Sequence, residues 1–149
     1  MKFLVAVDGS DDAATALTHA AKLASADAGS ITVVHAVDPA VYDEGGSEPI
    51  STLTAAQQRL IIESIEDAEQ RGLELVEAAV DRAEEFGLDV EGELVYGDPV
   101  RAISDYAEAE GFAGIFVGHR GRSARTESCL GSVAKGLVER ASVPVTVVR

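Results

Sequence analysis

The part of the chain best suited to chemistry is a glycine-rich stretch that runs from Gly118 to Val133. Its glycines stand at 118, 121 and 131, and Ser132 follows at once, which gives the spacing G-x2-G-x9-G-S. Because Gly118 and Gly121 carry no Cβ, their backbone can approach a ligand closely or adopt a positive φ. Gly131 and Ser132 stand where a helical pattern begins, so they offer unpaired N–H groups, a hydroxyl and the positive end of a helix dipole. The pattern predicts a loop that holds phosphate groups.

Charged residues in this loop bear on the same interpretation. Arg122 and Arg125 can each pair with a phosphate, whereas Glu127 would oppose one unless it faces away. The chain has no G-x4-G-K-[ST], and no G-x-G-x-x-G follows its first strand, so it lacks these two nucleotide motifs. Asp8 has two interpretations that the residues leave open. It either contacts a ribose hydroxyl or a metal ion, or it caps the first helix.

The histidines and the single cysteine are the other reactive side chains considered. His35 lies near the end of the predicted second strand, where we favour a hydrogen bond at the strand edge over a ligand contact. His119 is the one clear candidate for a general base in the loop. Cys129 has no partner for an intramolecular disulfide or a thiolate-cluster metal site. We interpret it as a small buried hydrophobic residue.

Charge is divided unevenly along the chain. The net charge of −14 argues against general affinity for nucleic acid or anionic membrane. Residues 1–118 hold 24 acidic and 6 basic residues, whereas residues 119–149 hold 2 acidic and 6 basic residues. Positive charge is therefore concentrated in and after the glycine loop, where an anion would bind, although it can also simply complement the acidic remainder. An acidic chain with only three lysines suggests a halophilic organism with a high-salt cytoplasm.

Hydrophobic periodicity predicts alternating strands and helices in a single domain of residues 1–149. The predicted strands are Phe3–Val7, Ile31–Val37, Val90–Tyr96, Gly114–Val117 and Val143–Val148. The predicted helices cover residues 11–26, 54–86, 98–109 and 132–140. Asp38–Ser51 is irregular and is either a lid beside a site or a surface insertion.

Strict alternation of this kind predicts an α/β fold, an open five-stranded parallel sheet that is doubly wound by helices. Ligands of such folds bind outside the carboxyl ends of the strands, where the strand order reverses. Asp8 and Gly118 each follow a strand directly, so placing them together predicts the strand order 3-2-1-4-5. Val143–Val148 is then an apolar edge, which predicts a homodimer formed by pairing with a twofold mate.

The termini and the apolar runs give no sign of a membrane protein. No run approaches the ~18 apolar residues that a membrane span requires. The N-terminal stretch MKFLVAVDGSDDA has one lysine and a short apolar run before acidic residues begin, which is typical of a first strand and not of a signal peptide. We therefore expect a cytoplasmic protein.

Four stretches together resemble the universal stress protein family. They are VAVDGS at Val5–Ser10, VVHAVD at Val33–Asp38, GDP at Gly97–Pro99 and GHRGRS…LGSVAKGLVERASVPVTVVR at Gly118–Arg149. The resemblance extends over the whole chain and is most specific in its last third. It implies an adenine nucleotide alpha hydrolase-like fold, dimers formed through the last strand, and ATP with Mg²⁺ as the bound cofactor.

The resemblance also implies a role for individual residues of this chain. It assigns the phosphates and ribose to Gly118, Gly121, Gly131, Ser132 and Val133. It places Asp8 near the ribose and adenine, and it lines the base with Ala6, Ala36 and Val117. Three features depart from the usual pattern: Gly114 replaces an acidic residue, His119 replaces a small hydroxyl residue, and the spacer Arg125–Leu130 is unusually polar.

Two functions from different classes follow from these observations. The first is an ATP-binding module of a stress or regulatory response, with or without slow ATP hydrolysis. The second is an enzyme of a related α/β group, such as an adenylyl transferase or an ATPase. We favour the binding module because the chain has no second domain for a substrate and no clear general base in the loop besides His119.

Overall fold

Strands and helices alternate along the chain in the computed structural model, which describes residues 1–39, 55–120 and 130–149. The strands of the described residues are β1 (Lys2–Ala6), β2 (Ser30–Val37), β3 (Asp89–Tyr96), β4 (Gly114–Gly118) and β5 (Val145–Val148). The helices are α1 (Asp11–Ala26), α2 (Ala55–Glu84), α3 (Pro99–Ala109) and α4 (Ser132–Arg140). Thr54 and most of Asp38–Ser51 lie outside the described residues.

All five strands are parallel and lie in the order β3-β2-β1-β4-β5, so the predicted topology is confirmed. β1 is the central strand, and Val5 stands opposite Val33 of β2 on one side and Phe116 of β4 on the other. The strand order reverses at β1, because β2 and β3 lie on one side of it and β4 and β5 lie on the other.

Two apolar layers hold the helices against the sheet. Val5, Val33 and Phe116 pack with α1 and α2 on one face. Their neighbours in the strands, Leu4 and Ile115 among them, pack with α3 and α4 on the other face. Successive residues of a strand point to opposite faces, so strands buried on both faces are apolar at nearly every position. The apolar runs of β1, β2 and β4 thus become strands covered on two sides, whereas β3 at the sheet edge is largely exposed.

The last strand is two residues shorter than predicted and begins at Val145 rather than Val143. Pro144 lies beside β4, where its carbonyl accepts a hydrogen bond of 2.8 Å from the Ile115 backbone N–H. Proline has no N–H to donate in return, so the ladder of strand hydrogen bonds starts after it. Val143 packs into the α3 and α4 layer from outside the strand.

The start of α3 provides a test of the local rules that position these helices. Asp98 caps the helix, with one carboxylate oxygen 3.1 Å from the backbone N of Arg101, and Pro99 follows. We predict that Asp98→Ala lowers the free energy of unfolding by about 1 kcal/mol, because an N–H of the first turn loses its acceptor. Chemical denaturation measures the change.

Two control variants accompany this prediction. Asp98→Asn should keep most of the stability, because asparagine also caps helices. Asp105→Ala removes an exposed acid inside the same helix and should cost little. Equal losses in Asp98→Ala and Asp105→Ala would show that the cap contributes nothing.

Candidate functional site

The site predicted from the sequence lies at the carboxyl ends of β1 and β4. These strands are paired in parallel, with Leu4 opposite Ile115 and Val5 opposite Phe116. Parallel neighbours end at the same edge of the sheet, so Asp8 beyond β1 and His119 beyond β4 emerge side by side. The strand order reverses here, which is where open α/β sheets form a crevice.

Gly118 ends β4 in close contact with the first turn of α1. A Cβ on Gly118 would lie 2.7 Å from the carbonyl carbon of Asp12 and 2.8 Å from the backbone N of Ala13. Any side chain here would therefore collide with backbone that cannot turn aside. The sequence assigned Gly118 to phosphate binding, but on the side where its Cβ would point the space is filled by α1. A ligand has access only from another direction.

Asp8 shapes the turn that follows β1. One of its carboxylate oxygens accepts a 2.9 Å hydrogen bond from the backbone N of Ser10, across Gly9, whose φ is +82°. Ser10, and not Asp8, caps α1, because its hydroxyl accepts from the backbone N of Ala13 at 3.1 Å. Of the two roles left open for Asp8, the helix cap thus belongs to its neighbour. Asp8 also lines a cavity, where a ligand could meet its carboxylate.

Backbone hydrogen bonds join the two ends of the glycine loop. His119 donates from its backbone N to the carbonyl of Val148 at 2.7 Å, and its own carbonyl accepts from Gly131 N at 2.7 Å. The loop therefore leaves and re-enters the fold at one point, beside the start of α4. Between these ends, Gly121, Arg122, Arg125, Glu127 and Cys129 lie outside the described residues.

Arg120 follows His119 and is held by α1. Its backbone N donates to Asp12 Oδ2 at 3.1 Å, and its Nε lies 3.8 Å from the same oxygen. The Nδ1 atom of His119 and the Nε atom of Arg120 are buried and have no hydrogen-bond partner among the described residues. Sequence reasoning did not single out Asp12 or Arg120, since nothing in their spacing links residues 108 positions apart.

The N-terminus of α4 differs from those of α1 and α3. α1 carries the Ser10 cap with Asp11 and Asp12 in its first turn, and α3 carries the Asp98 cap. α4 begins at Ser132 after Gly131, with no capping side chain and no acid in its first turn among the described residues. Its leading N–H groups have no carbonyl within the helix to bond to. Of these three helix ends, α4 is the one whose dipole no carboxylate offsets, so it is the one suited to an anion.

The three residues assigned to the base lie on the face of the sheet covered by α3 and α4, together with Val133, which was assigned to the phosphates and ribose. Ala6 and Val117 are buried at the ends of β1 and β4, and Ala36 and Val133 are half-buried against the same layer. Val133 belongs to the first turn of α4, so an apolar surface meets the open helix end. The structure thus brings together four residues that the sequence could only name separately.

A cavity of about 570 Å³ adjoins Asp8 on the side of β2 and α2. It is lined by Asp8, His35, Ala36, Val37, Asp38, Ala68, Arg71, Glu74, Leu75, Ala78 and Pro99. His35 hydrogen-bonds through Nδ1 to the carbonyl of Val7 at 2.8 Å, which is the structural role favoured for it, and it also borders the cavity. Sequence reasoning did not single out the α2 residues, although Ala68, Leu75 and Ala78 keep a helical spacing.

Tyr106 lies on α3, away from this crevice. Burial raises the pKa of the Tyr106 hydroxyl, and the carboxylates of Glu93, Glu110 and Glu91 raise it further. Glu91 and Glu93 belong to β3, two strands from β1.

Within the described ranges there is no group of three His, Cys, Asp or Glu side chains able to hold a metal ion. No helix in those ranges is long and apolar enough to cross a membrane.

The sheet order and the crevice define an open, doubly wound α/β protein, and known proteins of this kind are similar to the chain. The model of the universal stress protein family matches residues 1–149. Universal stress protein YxiE of Bacillus subtilis is 32% identical over 148 residues, which cover 99% of this chain and 98% of that protein. The chain belongs to the universal stress protein family.

Solved structures share the fold. Universal stress protein UspA from Lactobacillus plantarum superposes with a TM-score of 0.82 at 24% identity, covering 100% of this chain and 97% of the other. The universal stress protein from Archaeoglobus fulgidus in complex with dAMP superposes with a TM-score of 0.67 at 26% identity, covering 100% of this chain and 98% of the other.

The contact of Gly118 with α1 leads to a prediction that needs no ligand. Gly118→Ala should lower the free energy of unfolding by about 1–3 kcal/mol, because its Cβ overlaps backbone atoms of Asp12 and Ala13. Gly114→Ala at the start of the same strand is the matched control, since its Cβ would come no closer than 3.4 Å to its nearest neighbour, the carbonyl of Pro144. If the two variants unfold at the same denaturant concentration, close packing is not what requires Gly118.

Proposed function

We propose that this chain is a regulatory module that binds an adenine nucleotide, with ATP and Mg²⁺ as its ligand, in the crevice between β1 and β4. The observation that carries the proposal is the N-terminus of α4. It has no cap and no acid among the described residues, and it stands where both ends of the glycine loop meet. The dAMP complex of the Archaeoglobus fulgidus relative supports the class of ligand.

The arrangement of the crevice supports an orientation for the nucleotide. The phosphates lie at the first turn of α4, where Gly131, Ser132 and Val133 present N–H groups and the serine hydroxyl. The ribose lies near Asp8, whose carboxylate can accept a hydrogen bond from a sugar hydroxyl. The base lies against Ala6, Ala36, Val117 and Val133. Gly121 and Arg122 remain predicted phosphate contacts.

Electrostatics favour a phosphate at the start of α4 over the start of α1. Asp8, Asp11 and Asp12 surround the start of α1, so an anion there would meet carboxylates. The first turn of α4 contains no acid, and Lys135 follows directly with an exposed side chain. In a chain with a net charge of −14, a local excess of positive charge gives an anion a defined place to bind.

Binding without rapid chemistry is the activity that the described side chains favour. The carboxylates and imidazole of the crevice already make structural bonds: Asp8 to Ser10, Asp12 to Arg120 and His35 to Val7. His119, whose Nδ1 has no partner among the described residues, is the candidate base for slow hydrolysis. We further propose a cytoplasmic location, and the acid-rich, lysine-poor composition continues to suggest a high-salt cytoplasm.

Nucleotide titration tests this proposal. Calorimetric titration of the protein with ATP and Mg²⁺ should give saturable binding, and Ser132→Ala should weaken it by about ten-fold, because a hydroxyl next to a charged phosphate is lost. Ser142→Ala, an exposed serine beyond the other end of α4, is the matched control and should bind as the unaltered protein does.

Following the nucleotide after binding separates the two classes of function. Slow or absent ADP formation agrees with a regulatory module. Rapid turnover, with or without a second substrate, would support the alternative, an adenylyl transferase or ATPase. Absence of any adenine nucleotide binding would overturn both.

We also propose that β5 pairs with its twofold mate in a homodimer. β5 is an edge of the sheet, and Val145, Val147 and Val148 leave it apolar. An apolar strand edge with unpaired backbone groups favours pairing with another chain. The predicted interface Val143–Val148 thus keeps its place at the edge, although the strand itself begins at Val145.

A charge on this edge tests the dimer. Val147→Asp should shift the protein toward monomer in light scattering, because an aspartate would be buried in the interface. Leu73→Asp places the same charge on an exposed position of α2 and should leave the mass unchanged. Circular dichroism checks that both variants stay folded. A folded Val147→Asp variant with unchanged mass would contradict the proposed interface.

A further inference from the structure

Asp12 joins the first turn of α1 to the start of the glycine loop. Its Oδ2 atom accepts a 3.1 Å hydrogen bond from the backbone N of Arg120 and lies 3.8 Å from Arg120 Nε. The Asp12 side chain is only 19% exposed, so water competes weakly for these contacts. One carboxylate oxygen thus holds both the peptide and the side chain of Arg120.

The helix does not require Asp12 for its own start. Ser10 supplies the cap, and Asp11 stands beside Asp12 in the same first turn with an exposed side chain. Either acid complements the helix dipole. The two differ in one respect, because only Asp12 has a hydrogen bond to the loop in the described structure. Its contact with Arg120 is therefore separable from its effect on α1.

A carboxylate beside an anion site weakens binding of the anion by charge repulsion, unless it also has a structural role that favours binding. Asp12 brings a negative charge to the strand edge where the phosphates are proposed to lie, which opposes their binding. Arg120 offsets that charge through its guanidinium, while the hydrogen bond fixes the orientation of the Arg120 peptide. Gly118 packs against the same turn of α1, so β4 and α1 together fix where the loop begins.

We propose that Asp12 is a positioning residue for the nucleotide site: it holds the Arg120 peptide, and with it the neighbouring His119 carbonyl that accepts from Gly131 N at the start of α4, where the phosphates are proposed to bind. The inference rests on the proposed function, because it concerns the same site. It assigns to Asp12 an effect on nucleotide affinity that acts through Arg120 and not through contact with the ligand.

Three substitutions at Asp12 separate geometry from charge. Asp12→Asn keeps an oxygen that can accept from Arg120 N but removes the charge, so ATP should bind as tightly as to the unaltered protein or more tightly. Asp12→Ala removes the acceptor and should weaken ATP binding by about ten-fold, the contribution of one charge-assisted hydrogen bond. Asp12→Glu keeps the charge but displaces the carboxylate by one methylene, and it should also weaken binding.

Asp11→Ala is the matched control, because it removes an acid from the same helix turn without touching the loop. Its affinity for ATP should stay unchanged. If Asp12→Ala and Asp12→Asn both bind ATP at least as tightly as the unaltered protein, Asp12 acts only as a charge and the proposal is wrong. If Asp12→Asn loses as much affinity as Asp12→Ala, the retained acceptor has no value, and the proposal is equally wrong.

Amide hydrogen exchange without nucleotide provides the second readout. The Arg120 amide should exchange about ten-fold faster in Asp12→Ala and keep its protection in Asp12→Asn, because exchange follows opening of this hydrogen bond. Failure of the unaltered protein to bind any adenine nucleotide overturns the proposed function, and this inference with it. Normal binding by a folded Asp12→Ala variant whose Arg120 amide exchanges rapidly overturns the positioning role alone.

Discussion

The parallel pairing of β1 with β4 is the constraint on which the rest of this structure depends. It seats the first strand of the chain between β2 and β4, so the crossover from β1 to β2 and the crossover from β4 to β5 run in opposite directions across the sheet. The strand ends then diverge above the sheet and form a crevice. Asp8 and His119, far apart in sequence, border the same opening as a consequence. Gly118 lets the end of β4 pack against α1, because the helix occupies the space that a side chain would need.

Charge then distinguishes the helix ends that surround the opening. The start of α1 is capped by the Ser10 hydroxyl and has Asp11 and Asp12 in its first turn, while Asp8 accepts a hydrogen bond from Ser10 N. The start of α4 lacks such partners among the described residues. A helix dipole without a countercharge attracts anions, whereas one beside carboxylates does not. At this edge of the sheet, the start of α1 is thus anionic and the start of α4 is suited to phosphate. This difference would orient an asymmetric ligand such as a nucleotide.

Local sequence rules succeeded where the cause is local. The order of elements and the apolar faces of the buried strands follow from neighbouring residues, and the structure agrees with them. The rules placed the start of β5 two residues too early, because they counted Pro144 as part of the strand although it has no N–H to donate to β4. The contact of Gly118 with phosphate stays a prediction, while its close packing against α1 could not be seen from neighbouring residues.

The sequence by itself determined the α/β class, the strand order and the family, because hydrophobic periodicity and glycine spacing depend only on the order of residues in the chain. It also named Asp8, Gly131 and Ser132. Only the tertiary structure decided how the site is held. The hydrogen bond from Arg120 to Asp12, the closure of the loop between His119 and Gly131, and the cavity beside α2 all join distant segments. Such contacts arise from packing in three dimensions and leave no period in the sequence.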